Sequence, residues 1–302
     1  MAACKFPKHE KVANAMKNRI IALLLALGIL LSFAGCGGTA EEESSGTEIP
    51  EQSSEMPEEE DPAASSEAEE SESSSKEKDE NSKVDKLVDA YNKNSDVVGW
   101  LTVPGTDIDE PVVQSGDNDY YLRRAWTKES AQSGCYFADY ECNFANGNLP
   151  THTIIYGHSM ELNDDPNGQK FSQLKRWLDK DFAQKHPYIY FSTPEKDYVY
   201  QIFSVMYTST RFNYIDPEPT SSEMLAMINE AKLSSQFNYP VAVDAKDKTI
   251  ALSTCTYHFT RDYPNNYRYV IMARLVEEGE TMADTVALEV NPKPKKVPVF
   301  LD

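Results

Sequence analysis

Two apolar runs end in reactive side chains. Ile250-Ala251-Leu252-Ser253-Thr254 leads into Cys255, and Ile154-Ile155-Tyr156-Gly157 leads into His158. A thiolate is a nucleophile, and an imidazole beside it can accept or return the proton. Acyl transfer also needs positive charge where the carbonyl oxygen becomes an anion. Arg268 opens the next apolar run after Cys255, so a hairpin would bring its guanidinium back beside the thiol. Spacing alone leaves the plainer reading open: a lone Cys also serves as a small buried hydrophobe, and a lone His also serves as a structural donor.

The remaining thiols and imidazoles supply no rival chemistry. His9 lies near the N-terminus, and His152, His186 and His258 read as surface or structural residues. Cys4 and Cys36 flank an N-terminal apolar stretch. Cys135 and Cys142 are close enough to pair, or to remain as two buried free thiols. There is no Cys-x-x-Cys, no His-Glu-x-x-His and no Gly-rich phosphate loop, so neither a metal nor a nucleotide cofactor is expected. A net charge of −20 argues against nucleic acid as a partner, because phosphate binding needs clustered Lys and Arg.

That charge is uneven. Residues 1–19 carry five bases and one acid, and residues 41–80 carry 17 acids and two bases, which leaves −9 for residues 81–302. The acidity therefore belongs to a front segment and says little about a substrate. Residues 20–34 are apolar behind a basic flank, the pattern of an export signal. The ending Phe33-Ala34-Gly35-Cys36 is similar to a lipoprotein cleavage box; uncleaved, the segment would be a signal anchor with its basic end in the cytoplasm. Either way residues 1–40 act as an anchor. Residues 41–82, rich in Ser and Glu, cannot bury enough apolar surface to fold and read as an extended spacer.

The elements that must position Cys255, His158 and Arg268 lie in residues 83–278. A short helix over Lys83–Asn92 opens them. Strand-like runs rich in Val, Ile, Tyr and Phe follow: Val98–Val103, Pro111–Gln114, Cys135–Ala138, Thr153–Tyr156, Tyr188–Ser192, Tyr198–Tyr207, Thr249–Thr254 and Tyr267–Leu275. Helices are expected over Gln169–Leu178 and over Ser222–Leu233, the latter with Met224, Leu225, Met227, Ile228 and Ala231 on its packing face. Many strands with few helices, and no βαβ alternation, indicate a mainly β barrel or sandwich with peripheral helices. Residues 279–302, with Lys293, Lys295 and Lys296 among prolines, read as a loose C-terminal extension.

Three stretches carry a family resemblance: Tyr156-Gly157-His158-Ser159-Met160, Leu252-Ser253-Thr254-Cys255-Thr256-Tyr257, and Arg268-Tyr269-Val270-Ile271-Met272-Ala273-Arg274-Leu275. They resemble the hallmark motifs of class B sortases, cysteine transpeptidases of the Gram-positive cell surface. Val98-Gly99-Trp100-Leu101, Pro104-Gly105-Thr106-Asp107-Ile108, Pro111-Val112-Val113-Gln114 and Asp117-Asn118-Asp119-Tyr120-Tyr121-Leu122 are similar as well.

The resemblance implies an eight-stranded β-barrel with an N-terminal helical extension and a peripheral helix before the last strands. It implies Cys255 as nucleophile, His158 as acid/base and Arg268 as oxyanion stabiliser, with Arg261 a rival inside the 13-residue gap between Cys255 and Arg268. Ser253, Tyr156, Asn118 and Leu122 would line the substrate pocket. No cofactor is implied. The partners would be surface proteins bearing an Asn- or Ser-Pro-x-Thr sorting signal, a peptidoglycan-precursor or pilin amine, and the membrane, at the extracellular face of which the chain would be tethered. The competing expectations are a cysteine hydrolase on another fold, and a lipid-anchored binding or adhesion module built on an inactive barrel.

Overall fold

The computed structural model describes residues 85–160, 163–259 and 266–297. The anchor and spacer expected over residues 1–82 lie outside them, as does Arg261. Residues 85–93 form helix α1. The strands that follow are β1 (Val97–Thr102), β2 (Asp109–Val113), β3 (Tyr136–Ala138), β4 (His152–Tyr156), β5 (Tyr188–Ser192), β6 (Asp197–Ser209), β7 (Phe237–Asn238), β8 (Thr249–Cys255), β9 (Tyr267–Leu275) and β10 (Glu289–Val290). Helices α2 (Lys180–Lys185) and α3 (Ser221–Ser234) complete the set.

Eight strands close into one barrel in the order β1-β2-β3-β4-β8-β9-β6-β5. The chemistry-bearing run β4-β8-β9 combines two pairings. β4 and β8 are parallel, and β8 and β9 are antiparallel. Ile154 and Ile155 are both fully buried, as are Ile250, Ala251 and Leu252. Adjacent strand residues point to opposite faces, so these strands are covered on both sides. Continuous apolar runs rather than alternation are the sequence mark of such strands.

The covering layer lies partly in the segment expected as one helix, Gln169–Leu178. It is a 3-10 helix, Phe171–Leu178, followed by α2. Asp179 separates them: its backbone is extended, and its carboxylate caps α2 by accepting from the Phe182 N–H at 2.8 Å. Phe171, Leu174 and Trp177 are fully buried. On the far side α1 places Leu87 and Ala90 with Val97, Val113, Tyr121 and Phe137 in a second, smaller core.

Helix α3 starts with a reciprocal capping box between Thr220 and Glu223. It buries Met224, Met227, Ile228 and Ala231, but Leu225 is 47% exposed. At 100° per residue, Leu225 lies off the stripe that Met224 and Ile228 define one turn apart. Residues 279–297, the described part of the C-terminal extension, are tied to the barrel rather than loose. β10 pairs with β7, the Val286 N–H reaches the Gln184 carbonyl at 2.9 Å, and Lys295 pairs with Glu230 on α3 at 2.7 Å. These ties run largely through backbone groups, which residue types do not reveal.

Candidate active site

The parallel ladder of β4 and β8 runs in register from His152 opposite Thr249 to Tyr156 opposite Ser253. The Gly157 N–H then reaches the Ser253 carbonyl at 3.3 Å. Counting two residues on along each chain sets His158 abreast of Cys255. On the other flank the β8–β9 ladder ends with Cys255 directly opposite Arg268. Residues paired across a sheet project from the same face. The side chains of Cys255 and Arg268 therefore leave neighbouring strands on one face, and the chain that continues from β4 into His158 runs on the other flank of β8.

Leu122 and Arg123, on a short 3-10 helix, Tyr120–Arg123, bracket the His158 ring. His158 Nε2 lies 2.7 Å from the Leu122 carbonyl and 3.2 Å from Arg123 Nη1. A carbonyl only accepts, so Nε2 carries the hydrogen and Nδ1 is the basic nitrogen. Burial lowers the His158 pKa, the Leu122 carbonyl raises it, and the Arg123 charge lowers it further. The net shift is downward, which favours the neutral imidazole at neutral pH.

Two glycines make this packing possible. Gly134 adopts φ +56°, and a Cβ there would meet the Leu122 carbonyl at 2.8 Å and His158 Cδ2 at 3.2 Å. A Cβ on Gly157 would meet the Phe171 ring at 2.7 Å.

Cys255 is half-buried, whereas Cys135 and Cys142 are buried, and all three are free thiols. Of the two outcomes open for Cys135 and Cys142, the unpaired one holds. Burial pushes each of their thiols up to about 12, which keeps them protonated and inert. Arg268 donates to the Tyr267 carbonyl at 3.0 Å. The Arg268 charge is felt at the buried Tyr214 hydroxyl, whose pKa is raised by burial and eased by its Ser253 bond and by Arg268.

The four residues expected to line the pocket divide. Ser253 is 1% exposed and bonds the Tyr214 hydroxyl at 2.8 Å, so it meets protein rather than solvent. Tyr156 and Asn118 both donate to one oxygen of the buried Asp139, at 2.7 and 2.9 Å. Asn118 also accepts from the Tyr140 N–H at 3.1 Å. Leu122 reaches the site through its carbonyl on His158. Arg123, Gly134, Asp139 and Tyr214 went unread in the sequence. Arg123 adjoins Leu122, and a glycine before Cys135 was the one local signal for a tight approach.

The other imidazoles among the described residues are structural. His152 is fully buried, with Nδ1 2.7 Å from Thr249 Oγ1 and Nε2 2.9 Å from the Tyr214 carbonyl. His186 stacks on Phe182 at 4.0 Å, and His258 stacks on Tyr207 at 4.4 Å. Among the described residues no group of three His, Cys, Asp or Glu side chains is placed to hold a metal ion.

A family model described as the sortase domain matches residues 101–276. Sortase B of Listeria monocytogenes is 39% identical over 193 residues, a span covering 64% of this chain and 74% of that relative. This chain belongs to the class B sortases. The Staphylococcus aureus sortase B–substrate complex superposes with a TM-score of 0.56 at 29% identity, covering 64% of this chain and 85% of that one. A sortase B complexed with triglycine gives a TM-score of 0.55 at 29% identity, covering 63% and 84%. The expected sortase barrel is thus the observed one, and the reaction class is cysteine transpeptidation.

Proposed function

We propose that the chain is a surface-tethered sortase that cleaves a C-terminal Asn- or Ser-Pro-x-Thr sorting signal and passes the acyl group to a cell-wall or pilin amine. The observation that supports the reading is that β8 carries Cys255 opposite Arg268 of β9 on one flank and pairs with β4, the strand that leads into His158, on the other. As the sulfur of Cys255 attacks the threonine carbonyl carbon, its thiol proton passes to Nδ1 of His158. Arg268 stabilises the oxyanion, and His158 delivers a proton to the departing amine through Nδ1. The thioester that remains is attacked by the incoming amine. His158 takes that amine's proton, and the thiolate leaves as the new amide forms. A site that holds the amine close and keeps water out favours aminolysis over hydrolysis.

Asn118, Tyr156 and Leu122 shape the approach for the signal peptide, with Ser253 acting from beneath through Tyr214. The solved complexes of relatives with a substrate and with triglycine support a peptide donor and a small-amine acceptor. Tethering is assigned to residues 1–40, as signal anchor or as lipoprotein at Cys36, with residues 41–82 as spacer, 83–278 as catalytic domain and 279–302 as extension. Among the described residues no helix is long and apolar enough to cross a membrane.

The test is intact-mass spectrometry of the chain mixed with Asn-Pro-x-Thr-Gly pentapeptides, with and without triglycine. An acyl adduct on Cys255 that triglycine discharges to a ligated peptide is expected. Turnover that survives Cys255→Ala sinks the reading.

A further inference from the structure

Lys175 is a lysine with no access to solvent. Its side chain is 0% exposed, on the 3-10 helix over residues 171–178. Its ammonium donates to Ser159 Oγ at 2.8 Å and to the Cys255 carbonyl at 3.2 Å, and it pairs with Asp164 at 3.4 Å. Ser159 directly follows His158. One buried cation therefore touches the residue after the base and the backbone of the nucleophile itself.

The position of this contact follows from the ladder. In a parallel pair the N–H groups of every second residue on one strand bond carbonyls on the other. Gly157 bonds the Ser253 carbonyl. The next rung in that series would join the Ser159 N–H to the Cys255 carbonyl. Ser159 instead stands opposite Lys170, in a bridge made by the Phe171 N–H on the His158 carbonyl at 2.9 Å, and the Lys175 ammonium lies between Ser159 Oγ and the Cys255 carbonyl. Asp164 completes the clamp. Its carboxylate accepts from Thr256 Oγ1 and from the Tyr257 N–H at 3.1 Å, fixing the turn that leaves Cys255. Asp164 itself sits at φ +57°, a conformation an Asp adopts at some cost and keeps where its surroundings hold it.

We propose that Lys175, with Asp164, is a positioning residue for catalysis: it replaces the missing backbone rung where β4 and β8 end and so holds His158 and Cys255 abreast. It touches neither substrate nor sulfur. This inference rests on Cys255 as nucleophile and His158 as acid/base. A positioning role falls on the chemical step and spares substrate binding, which separates it from a role in the fold alone.

Lys175→Met leaves Asp164 buried without a counter-charge, so the informative variant is Lys175→Met combined with Asp164→Asn, which removes both charges together. Steady-state turnover of quenched Asn-Pro-x-Thr-Gly peptides with triglycine is read beside a thermal melt. The double variant is expected to melt cooperatively, to keep KM within about twofold, and to lose about 10- to 100-fold in kcat, the scale of a small misplacement of reacting groups. A kcat within about twofold of the parent in the folded double variant overturns the proposal.

Should the double variant fail to melt cooperatively, Ser159→Ala decides, since it removes one arm of the bridge and strands no charge. A kcat loss of roughly 3- to 10-fold at unchanged KM supports the proposal, and an unchanged kcat overturns it. Cys255→Ala runs in parallel. If it abolishes turnover while the folded double variant stays fully active, the positioning role alone fails. If it leaves turnover intact, the assignment of the nucleophile has failed first.

Discussion

The two ends of the β4–β8 pair hold the same kind of residue under opposite conditions. At one end His152 faces Thr249; at the other Tyr156 faces Ser253, and His158 and Cys255 each follow two residues on. His152 is fully buried, with both ring nitrogens engaged by Thr249 and the Tyr214 carbonyl. His158 commits Nε2 to the Leu122 carbonyl at a half-buried rim, which leaves Nδ1 for proton exchange. A saturated imidazole is a strut, and an imidazole with one basic nitrogen left over is able to serve as the reagent that the proposed function requires. His152 opens β4 and His158 follows its end by two residues, so what separates the two is the number of partners at each end and the access of water.

The contrast is broken most sharply by removing reagents. Cys255→Ala and His158→Ala are each expected to lower kcat/KM for a sorting peptide by about 1,000-fold or more, with the fold retained. Thr249→Val at the opposite end is expected to leave kcat/KM within about twofold. It should instead cost roughly 1–3 kcal/mol in urea unfolding, because a buried imidazole nitrogen loses its partner. Equal activity losses at the two ends would erase the distinction.

Gly134→Ala probes how the rim is held. The added methyl meets the Leu122 carbonyl at 2.8 Å on a backbone at φ +56°. Turnover is expected to fall by about tenfold or more as the ring is displaced, with roughly 1–3 kcal/mol of stability lost, read by paired kinetics and denaturation.

Acid sharpens the comparison further. Burial holds His152 at about 4 against 6.5 for a free imidazole. Between those values the unfolded chain binds the extra proton and the folded chain does not. Stability therefore falls as pH drops from 6.5 towards 4, by up to about 3 kcal/mol. Denaturant midpoints across that window should show the slope, and His152→Gln should flatten it. The smallest effect is expected from Arg123→Gln. With the cation gone, the His158 pKa rises, so the acid limb of the kcat/KM profile moves to higher pH. A limb that stays in place, or moves to lower pH, would show that the Arg123 charge does not act on this ring.

Much of this was legible in residue order. Ile154-Ile155 and Ile250-Ala251-Leu252 identify strands covered on both faces, and the reactive residues follow them directly. Arg268 at the start of the return strand follows from hairpin reasoning, and the ladder sets it opposite Cys255. What stayed hidden depends on contacts across long stretches of chain. Lys175 looks like any helix-surface lysine until the strands that bury it are in place. Leu225 fits the packing stripe of α3 by its apolar type, yet it is largely exposed. Asn118 and Tyr156 were readable as polar, but the shared Asp139 carboxylate that ties them together was not. The tail after β9 gave little packing signal because only Val286 and Leu288 of its described residues are buried, while its other ties are backbone bonds, the Asn291 side chain and two ion pairs, Glu280–Arg274 and Lys295–Glu230.

The parallel pairing of β4 with β8 joins partners 97 residues apart in the chain. Contacts of such long range form late, after the entropy of closing a large loop has been overcome. A chain truncated before β8 thus has an open sheet edge and no competent thiol. In the proposed reaction the nucleophile arrives only with β8, the strand that also closes the barrel.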